Sequence, residues 1–512
     1  MQRYERTGRA AGAALIATLF LAGFLTGCAP TPSPPDLDTL YDSAASLKTE
    51  ARRPVISIPG TLGSRLEDQR SGVVIWGGPD GLSVDPEVPE NARLIALPIG
   101  EGDEPLRELR DGVRPDGVLR VARASVLGIP VEIDVYRGVI STLIAGGFGF
   151  RETREEEVTE REINLDSFEF PYDWRRDIVE GASDLDYFIK RKIRQVGDVR
   201  RKVFNADDAG EVKFDLIAHS MGGLVARYYL MYGDADLPED GSLPEVTWAG
   251  AKNVSRAVFI APPNTGSVLS FENLVNGKTL GPFQPSYEPA LLSTHVSIYE
   301  MFPRDRHRRV RIKGSSEFVS LFDVDMWDRY GWGLLDPSQD AMLKILMPDE
   351  PTAESRRARA KRHLAKILAR AEQFQRAMDR PVDVPEDLDL YLVVGGGFET
   401  PAEVEFDPET GHVEITKLEE GDGVVLRASS LLDERQDGDY ALGLRSPVTY
   451  RSVLLLPEEH VDITKSAVFG DNLLFWLLEA PRVGDQLARP GRLSLAGAPS
   501  SSQAATAPPA TK

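Results

Sequence analysis

An apolar run from Phe214 to Ala218 ends in a serine set among small residues, Ala218-His219-Ser220-Met221-Gly222-Gly223. A second apolar run, Leu224 to Tyr232, follows at once. The first run has the length and bounds of a buried strand, the second the length of a helix. A strand that turns directly into a helix has no room for large side chains two positions before and two after the turning residue. Ala218 and Gly222 meet that need, with alanine where glycine is more usual. Such a turn strains the serine backbone and lifts its hydroxyl to the carboxyl end of the sheet. The first turn of the following helix aims its N–H groups at negative charge developing there. Ser220 is therefore a candidate nucleophile, and the N–H of Met221 a candidate donor to an oxyanion. A bare small-x-Ser-x-Gly pattern is weak; the strand before it and the helix after it make this one specific.

A serine hydroxyl needs a base. In the α/β-hydrolase fold, which is built around this turn, the chain order is serine, acid, histidine. The chain has six histidines, and that order removes most of them. His219 adjoins the serine and points elsewhere; His295, His307 and His363 lie in a long interruption of the strand–helix pattern; His412 sits in an expected hairpin. His460 remains, in Leu456-Pro457-Glu458-Glu459-His460-Val461-Asp462, between an apolar run and an apolar helix expected over Ala467 to Leu478. For the acid, Asp422 in Glu420-Gly421-Asp422-Gly423-Val424-Val425 is preferred, because flanking glycines let a carboxylate turn toward an imidazole. Asp389, close to another expected strand, is the alternative. The second oxyanion donor is expected in the loop Pro59-Gly60-Thr61-Leu62-Gly63-Ser64, with Thr61 the chosen residue.

Short apolar runs at Val55 to Ile58, Phe214 to Ala218, Ala257 to Ile260, Leu390 to Val394 and Val453 to Leu456 read as strands. Val139 to Ala145, Leu185 to Phe204 and Leu224 to Tyr232 read as helices between them. Alternating strands and helices predict an α/β fold with a mostly parallel central sheet covered on both faces. Two stretches break the alternation. Residues 67–130, rich in Gly, Pro and acids, read as an insertion. Residues 267–385 read as a larger one, containing a basic helix over Glu354 to Met378 that is expected to pack Leu364, Leu368, Ala371 and Met378 inward rather than to touch a membrane. Residues 404–415 alternate around Asp407-Pro408-Glu409-Thr410-Gly411 and predict an exposed hairpin.

Arg3, Arg6 and Arg9 precede an apolar run from Ala10 to Phe24, then Leu25-Thr26-Gly27-Cys28 and a Pro-rich stretch. This is the layout of a secretory signal, and the run is short for a membrane span. Leu-x-Gly-Cys resembles the bacterial lipoprotein box, in which the cysteine is lipidated after cleavage. Cys28 is the single cysteine of the chain, and lipidation gives an exported, unpaired thiol a purpose. The expected division is a signal peptide over 1–27, a flexible tether over 28–50, one hydrolase domain over 51–490 and a disordered tail over 491–512. The expected location is the bacterial cell envelope, anchored to the membrane as a lipoprotein. A net charge of −21 argues against nucleic acid as a partner and against docking on anionic lipid by bulk charge. Nothing in the sequence points to a protein partner.

Taken in order, several segments resemble the lecithin:cholesterol acyltransferase family, which includes lysosomal phospholipase A and phospholipid:diacylglycerol acyltransferases. They are Arg53 to Ser64, Phe170-Pro171-Tyr172-Asp173-Trp174-Arg175, Ala218 to Gly222, Ile260 to Ser267, Tyr299-Glu300-Met301-Phe302-Pro303, Gly421 to Val425, and His460. The Pro-Tyr-Asp-Trp-Arg box is the most specific, because generic hydrolases lack it. The resemblance implies a triad of Ser220, Asp422 and His460, oxyanion amides at Thr61 and Met221, and a cap over the acyl site from residues 267–385. It also implies a bracing role for Asp173, Trp174 and Arg175, and puts the insertion near Trp76 where family members touch membrane. The chain departs from eukaryotic members in having no pair of cysteines for a disulfide.

The expectation is acyl transfer from lipid esters, phospholipid or glyceride, through an acyl-Ser220 intermediate, with no metal or cofactor. A hydrolase and a transferase both fit. So do a general carboxylesterase or thioesterase that happens to be anchored, and a catalytically silent envelope lipoprotein acting as a binding module.

Overall fold

All five of the predicted strands enter one six-stranded sheet. The computed structural model describes residues 37–47, 52–78, 81–102, 104–126, 129–134, 136–149, 166–204, 211–279, 285–435 and 442–481. The strands are β1 (Val55–Ile58), β2 (Ser167–Glu169), β3 (Phe214–His219), β4 (Val254–Ile260), β5 (Asp389–Gly395) and β6 (Ser452–Leu456), in the order β6-β5-β4-β3-β1-β2. Every neighbouring pair is parallel. Strand β2 was not anticipated, because three residues are too few to show a period. Every residue of β3 and β4 is buried, which is why their segments Leu216–Ala218 and Ala257–Ile260 read as continuous apolar runs rather than as alternations.

Five helices matter for the site: α1 (Arg137–Ala145), α2 (Ile178–Phe204), α3 (Met221–Tyr232), α4 (Ala353–Met378) and α5 (Ala467–Leu474). Side chains on a strand alternate between the two faces, and each face has its own cover. Val55, Ile217, Val258, Ile260 and Val393 pack with Val139 and Leu143 of α1 and Phe469 and Leu473 of α5. Ile56, Leu216, Ala218, Phe259 and Leu392 pack on the other face with Leu185 and Ile189 of α2 and Leu224 and Tyr228 of α3. Helix α2 begins at Ile178 rather than at Leu185.

Both stretches that broke the alternation carry regular secondary structure in their described residues. Ser64–Asp68, Val74–Gly78, Gly81–Ser83 and Val113–Val118 form an antiparallel four-stranded sheet beside the oxyanion loop. Trp76 is buried there, with its ring edge-on to Trp174 at 5.5 Å, so this indole faces protein and not a membrane. Residues 267–385 are mostly helical, and α4 packs on α3: Tyr232 donates to the Ala377 carbonyl at 2.8 Å and Arg227 to that of Met378 at 3.1 Å. Leu364, Leu368, Ala371 and Met378 point inward. Arg356, Arg357, Arg359 and Arg370 of α4 pair with Asp340, Asp328, Asp349 and Asp177 respectively. The hairpin is longer than expected, Phe398–Phe406 against Val413–Gly421, and Val310–Ile312 adds to it as a third strand.

The flexible segment expected over 28–50 is corrected in part. Asp38–Tyr41 and Asp42–Ser46 are helical turns. Tyr41 and Ala45 are buried, and the N–H of Leu37 donates to Asp471 of α5 at 3.0 Å. Apolar side chains with a surface to bury on hold this piece down. The segment expected to be a signal peptide, Cys28, and the segment expected to be a disordered tail lie outside the described residues.

The Tyr-Asp-Trp-Arg box is the brace between the main sheet and the inserted one. Arg175 is fully buried and uses all five of its N–H groups. Nε donates to Asp173 at 3.0 Å, Nη1 to the carbonyls of Leu94 and Ile95 at 2.9 and 3.0 Å, and Nη2 to Asp111 and Asp173 at 2.6 and 2.7 Å. The Trp174 indole donates to the Ser64 carbonyl at 3.1 Å, and Tyr172 donates to that of Pro59 at 2.9 Å.

A second buried charge cluster gives a prediction about pH. Arg370 of α4 pairs with Asp177 at 2.6 Å. Burial opposes charge on Asp177, yet the Arg370 guanidinium holds its carboxyl below the usual range. Glu300, fully buried beside it, is pushed well above the usual range by burial and by the Asp177 charge, which favours its protonated form, and its Oε2 accepts from the Ile178 N–H at 2.8 Å. A raised carboxyl contributes stability that is full below its unfolded pKa and is lost as pH rises toward its folded one. Glu300→Gln keeps a neutral donor and removes that loss. Denaturant titrations should therefore show the variant gaining stability relative to the parent as pH rises above the ordinary glutamate range; parallel curves would exclude a protonated Glu300.

Candidate active site

The strand–turn–helix segment places Ser220 between β3 and α3 at φ 54°, ψ −128°, a region that costs a non-glycine residue about 1–3 kcal/mol. Two backbone bonds hold the turn: Ser220 N–H to the Ile260 carbonyl at 2.8 Å, and Gly223 N–H to the Ser220 carbonyl at 2.9 Å. A Cβ on Gly222 would stand 2.3 Å from the Pro59 carbonyl oxygen, and one on Gly60 would stand 2.7 Å from the Ser220 Cβ. The elbow and the loop after β1 therefore touch backbone to backbone, and only glycine fits at either contact.

Ser220, His460 and Asp422 meet at the carboxyl edge of the sheet. His460 Nε2 lies 2.9 Å from Ser220 Oγ, and His460 Nδ1 lies 2.7 Å from Asp422 Oδ2. The acid and the histidine are buried, and Ser220 is half-buried. The N–H groups of Val424 and Val425 donate to Asp422 Oδ1 at 3.0 and 2.7 Å, and the His460 N–H donates to the Asp422 carbonyl at 2.9 Å. These bonds fix the Asp422 side chain and the His460 backbone relative to one another. A carboxylate only accepts, so Nδ1 carries the ring proton and Nε2 is left bare toward the serine hydroxyl.

Topology explains how residues so far apart arrive together. Strand β5 ends at Gly395, the hairpin 398–421 leaves and returns, and Asp422 follows it. Strand β6 ends at Leu456, and His460 follows. A Cβ on Gly395 would stand 2.6 Å from the Asp422 Cβ and 2.7 Å from the Glu458 carbonyl, so both loops rest on that one glycine. The alternative acid, Asp389, is the first residue of β5 and sits at the amino end of the sheet. There it contacts Arg256, 3.8 Å away, and Arg451. That end is opposite to Ser220, which excludes Asp389 from the constellation.

Thr61 lies in the loop after β1, its hydroxyl 3.4 Å from the Met221 sulfur, so the two candidate oxyanion residues are neighbours. The Gly60 N–H is already taken by the Tyr136 hydroxyl at 2.6 Å. Leu62, at φ 64°, accepts from the Trp76 indole at 2.8 Å. Two features escaped the sequence. Tyr136 precedes α1 with no local motif to mark it. The turn after β4 is stitched to the acid loop, with Asn264 donating to the Ser430 carbonyl at 2.8 Å, the Thr265 N–H to Ser429 Oγ at 3.1 Å and the Ser267 hydroxyl to the Val424 carbonyl at 3.1 Å. Gly266 there packs on the Phe302 carbonyl, which a Cβ would meet at 2.0 Å; this seats the Met-Phe-Pro segment. His219, read as pointing away from the serine, points to Tyr136 at 3.0 Å and to the His460 carbonyl at 3.0 Å. Among the described residues, no group of three or more His, Cys, Asp or Glu side chains is arranged to hold a metal ion.

A parallel sheet with helices on both faces and a serine elbow at its carboxyl edge is an α/β-hydrolase. A family model described as lecithin:cholesterol acyltransferase matches residues 160–425, more than half of the 512 residues, and the chain belongs to that family. The family is one of lipid acyl-ester enzymes, hydrolases or acyltransferases. No curated protein matches the chain. Among solved structures, it is similar to a chain of the Tle4–Tli4 complex at 15% identity, over 84% of this chain and 100% of that one, with a TM-score of 0.48. It is also similar to lipase 1 from Pelosinus fermentans at 15% identity, over 52% and 72%, TM-score 0.22, and to EstA from Clostridium botulinum at 14%, over 87% and 98%, TM-score 0.31.

The shared glycine gives a test of the geometry. Gly395→Ala should push the acid loop from the base loop and lower kcat for an aryl ester about hundredfold, the scale of an ångström's misplacement, with the circular dichroism spectrum unchanged. Turnover at the parent rate would show that the two loops tolerate displacement.

Proposed function

We propose that this chain transfers acyl groups from lipid esters through an acyl-Ser220 intermediate. The observation that carries the reading is the unbroken hydrogen-bond path from Asp422 through His460 to Ser220, at 2.7 and 2.9 Å. Ser220 Oγ attacks the ester carbonyl while His460 Nε2 takes the hydroxyl proton. Asp422 holds the ring in the required tautomer and stabilises the imidazolium that forms. The carbonyl oxygen gathers negative charge and accepts from the backbone N–H groups of Thr61 and Met221, with the start of α3 behind the second. As the tetrahedral adduct collapses, the ester C–O bond breaks and His460 returns its proton to the departing alcohol. Water, or a second alcohol, then attacks the acyl-serine with His460 again as base, releasing a fatty acid or a new ester. The roles of Asp173, Trp174 and Arg175 in this scheme are to hold the oxyanion loop and the inserted sheet in register.

The substrate class rests on the family and on the Cys28 motif. A lipidated Cys28 would hold the domain within a short tether of a bilayer, where phospholipid and glyceride esters are concentrated. A chain with a net charge of −21 gains nothing from anionic headgroups, so a covalent anchor is the means of attachment that fits. Residues 267–385 are proposed as the cap region of the domain.

Ser220→Ala should abolish hydrolysis of a short-chain aryl ester and labelling by a fluorophosphonate probe, with an unchanged melting temperature; a variant that still turns over would end the assignment of the nucleophile. Cys28→Ala, expressed with its leader, should move the protein from the membrane fraction to the soluble fraction and abolish incorporation of radiolabelled palmitate. Full retention in the membrane would remove the anchor from the proposal.

A further inference from the structure

The hydrogen bonds around His219 leave no freedom in where its proton lies. Its Nε2 faces the backbone carbonyl of His460 at 3.0 Å. A carbonyl only accepts, so Nε2 carries the hydrogen. Its Nδ1 faces the Tyr136 hydroxyl at 3.0 Å. Burial, reinforced by the neighbouring His460, pushes the His219 pKa down to about 3, so the ring is neutral and Nδ1 is bare. Nδ1 therefore accepts from the Tyr136 O–H, and the Tyr136 oxygen in turn accepts from the Gly60 N–H at 2.6 Å. Tyr136 is 7% and His219 6% exposed, so both rings are buried beneath the site. The result is one directed chain, Gly60 N–H to Tyr136 O–H to His219 Nδ1, closed by His219 Nε2–H to the His460 carbonyl.

Its two ends are the two parts of the site that must be placed against Ser220 from opposite sides. Gly60 lies against the Ser220 side chain, whose Cβ a Cβ on Gly60 would meet at 2.7 Å, and it precedes Thr61, the proposed oxyanion donor. His460 carries the proposed base, and its ring centroid lies 4.8 Å from that of His219. Nothing in the reaction requires either Tyr136 or His219 to touch substrate. We infer that Tyr136 and His219 are positioning residues for the acyl transfer, fixing the peptide at Gly60–Thr61 relative to the backbone of His460 so that oxyanion donor and base are registered on one frame. The inference rests on the acyl-Ser220 reading and adds to it a pair that acts only through other groups.

The frame matters because an oxyanion donor works only at hydrogen-bond distance from where the charge develops. Tyr136→Phe deletes one oxygen, keeps the ring packed and leaves the Gly60 N–H and His219 Nδ1 without a shared partner. It should lower kcat for an aryl ester about ten- to hundredfold, approaching the loss of an oxyanion donor, while KM stays near the parent value. Binding of a trifluoromethyl ketone, which forms a tetrahedral oxyanion adduct on serine, should weaken by the same factor as kcat/KM falls. His219→Gln keeps a donor near the Nε2 position and drops the acceptor for Tyr136. It should reproduce the Tyr136→Phe defect, and the double variant should be no worse than either single one, because both break the same link. Should Tyr136→Phe fail to accumulate as folded protein, His219→Gln carries the same measurement. Parent-level kcat and inhibitor binding in both single variants would overturn the inference, as would a lower kcat without weaker inhibitor binding, or additive losses in the double variant. Fluorophosphonate labelling separates this from the nucleophile reading. A parent enzyme that does not label sinks that reading, whereas a variant that labels and turns over at the parent rate sinks only the positioning pair.

Discussion

The site depends on a single strained residue. Ser220 holds φ 54° only because the chain around it is stripped of side-chain bulk and tied at both its N–H and its carbonyl. Gly222 lies against the Pro59 carbonyl, Gly60 lies against Ser220, and Ala218 is fully buried beneath. The same closeness that permits the turn brings the loop after β1 to the serine, so nucleophile and oxyanion loop are one mechanical unit. Strain of about 1–3 kcal/mol is small beside the burial of a sheet whose two central strands are buried at every position.

Around that unit, polar atoms of large side chains do the holding. Tyr136, Tyr172 and Trp76 each grip one peptide of the oxyanion loop, at Gly60, Pro59 and Leu62. Arg175 ties the same region to the inserted sheet with every donor it has. A buried ion pair by itself is poor evidence of stability. What Arg175 contributes is a specific geometry: a planar fork that two carboxylates and two carbonyls must meet at fixed angles. The acid side of the site is held differently, by small residues and hydroxyls: Gly395, Gly266, Ser267, Thr265 and Ser429 stitch the ends of β4 and β5 to the loop that carries Asp422.

Much of this was legible in the chain. The five strands stood out because a sheet covered on both faces needs continuous apolar runs, and the elbow because a strand-to-helix turn tolerates only small neighbours. His460 emerged by elimination, since chain order and the position after a strand left one histidine. The inward face of α4 was readable from its period of Leu364, Leu368, Ala371 and Met378. Other parts were not legible. Strand β2 has three residues and no period. Asp38–Ser46 looks like linker by composition and is held by two buried side chains. Asp422 and Asp389 both stand near the same strand, and only the strand's direction separates them: one lies beyond its carboxyl end, the other at its amino end.

The sequence by itself determined the periodicities and the small-residue positions, because both follow from local backbone geometry, and with them the sheet, the elbow and the order of the candidate residues. Tertiary structure decided everything that depends on contact between distant segments: which aspartate faces His460, why Gly395 has no side chain, and how Tyr136 and His219 come to link Gly60 to His460. A hydrogen bond between residues hundreds of positions apart leaves no trace in local spacing, since its distance is set by the packing of the whole sheet and not by the chain between them.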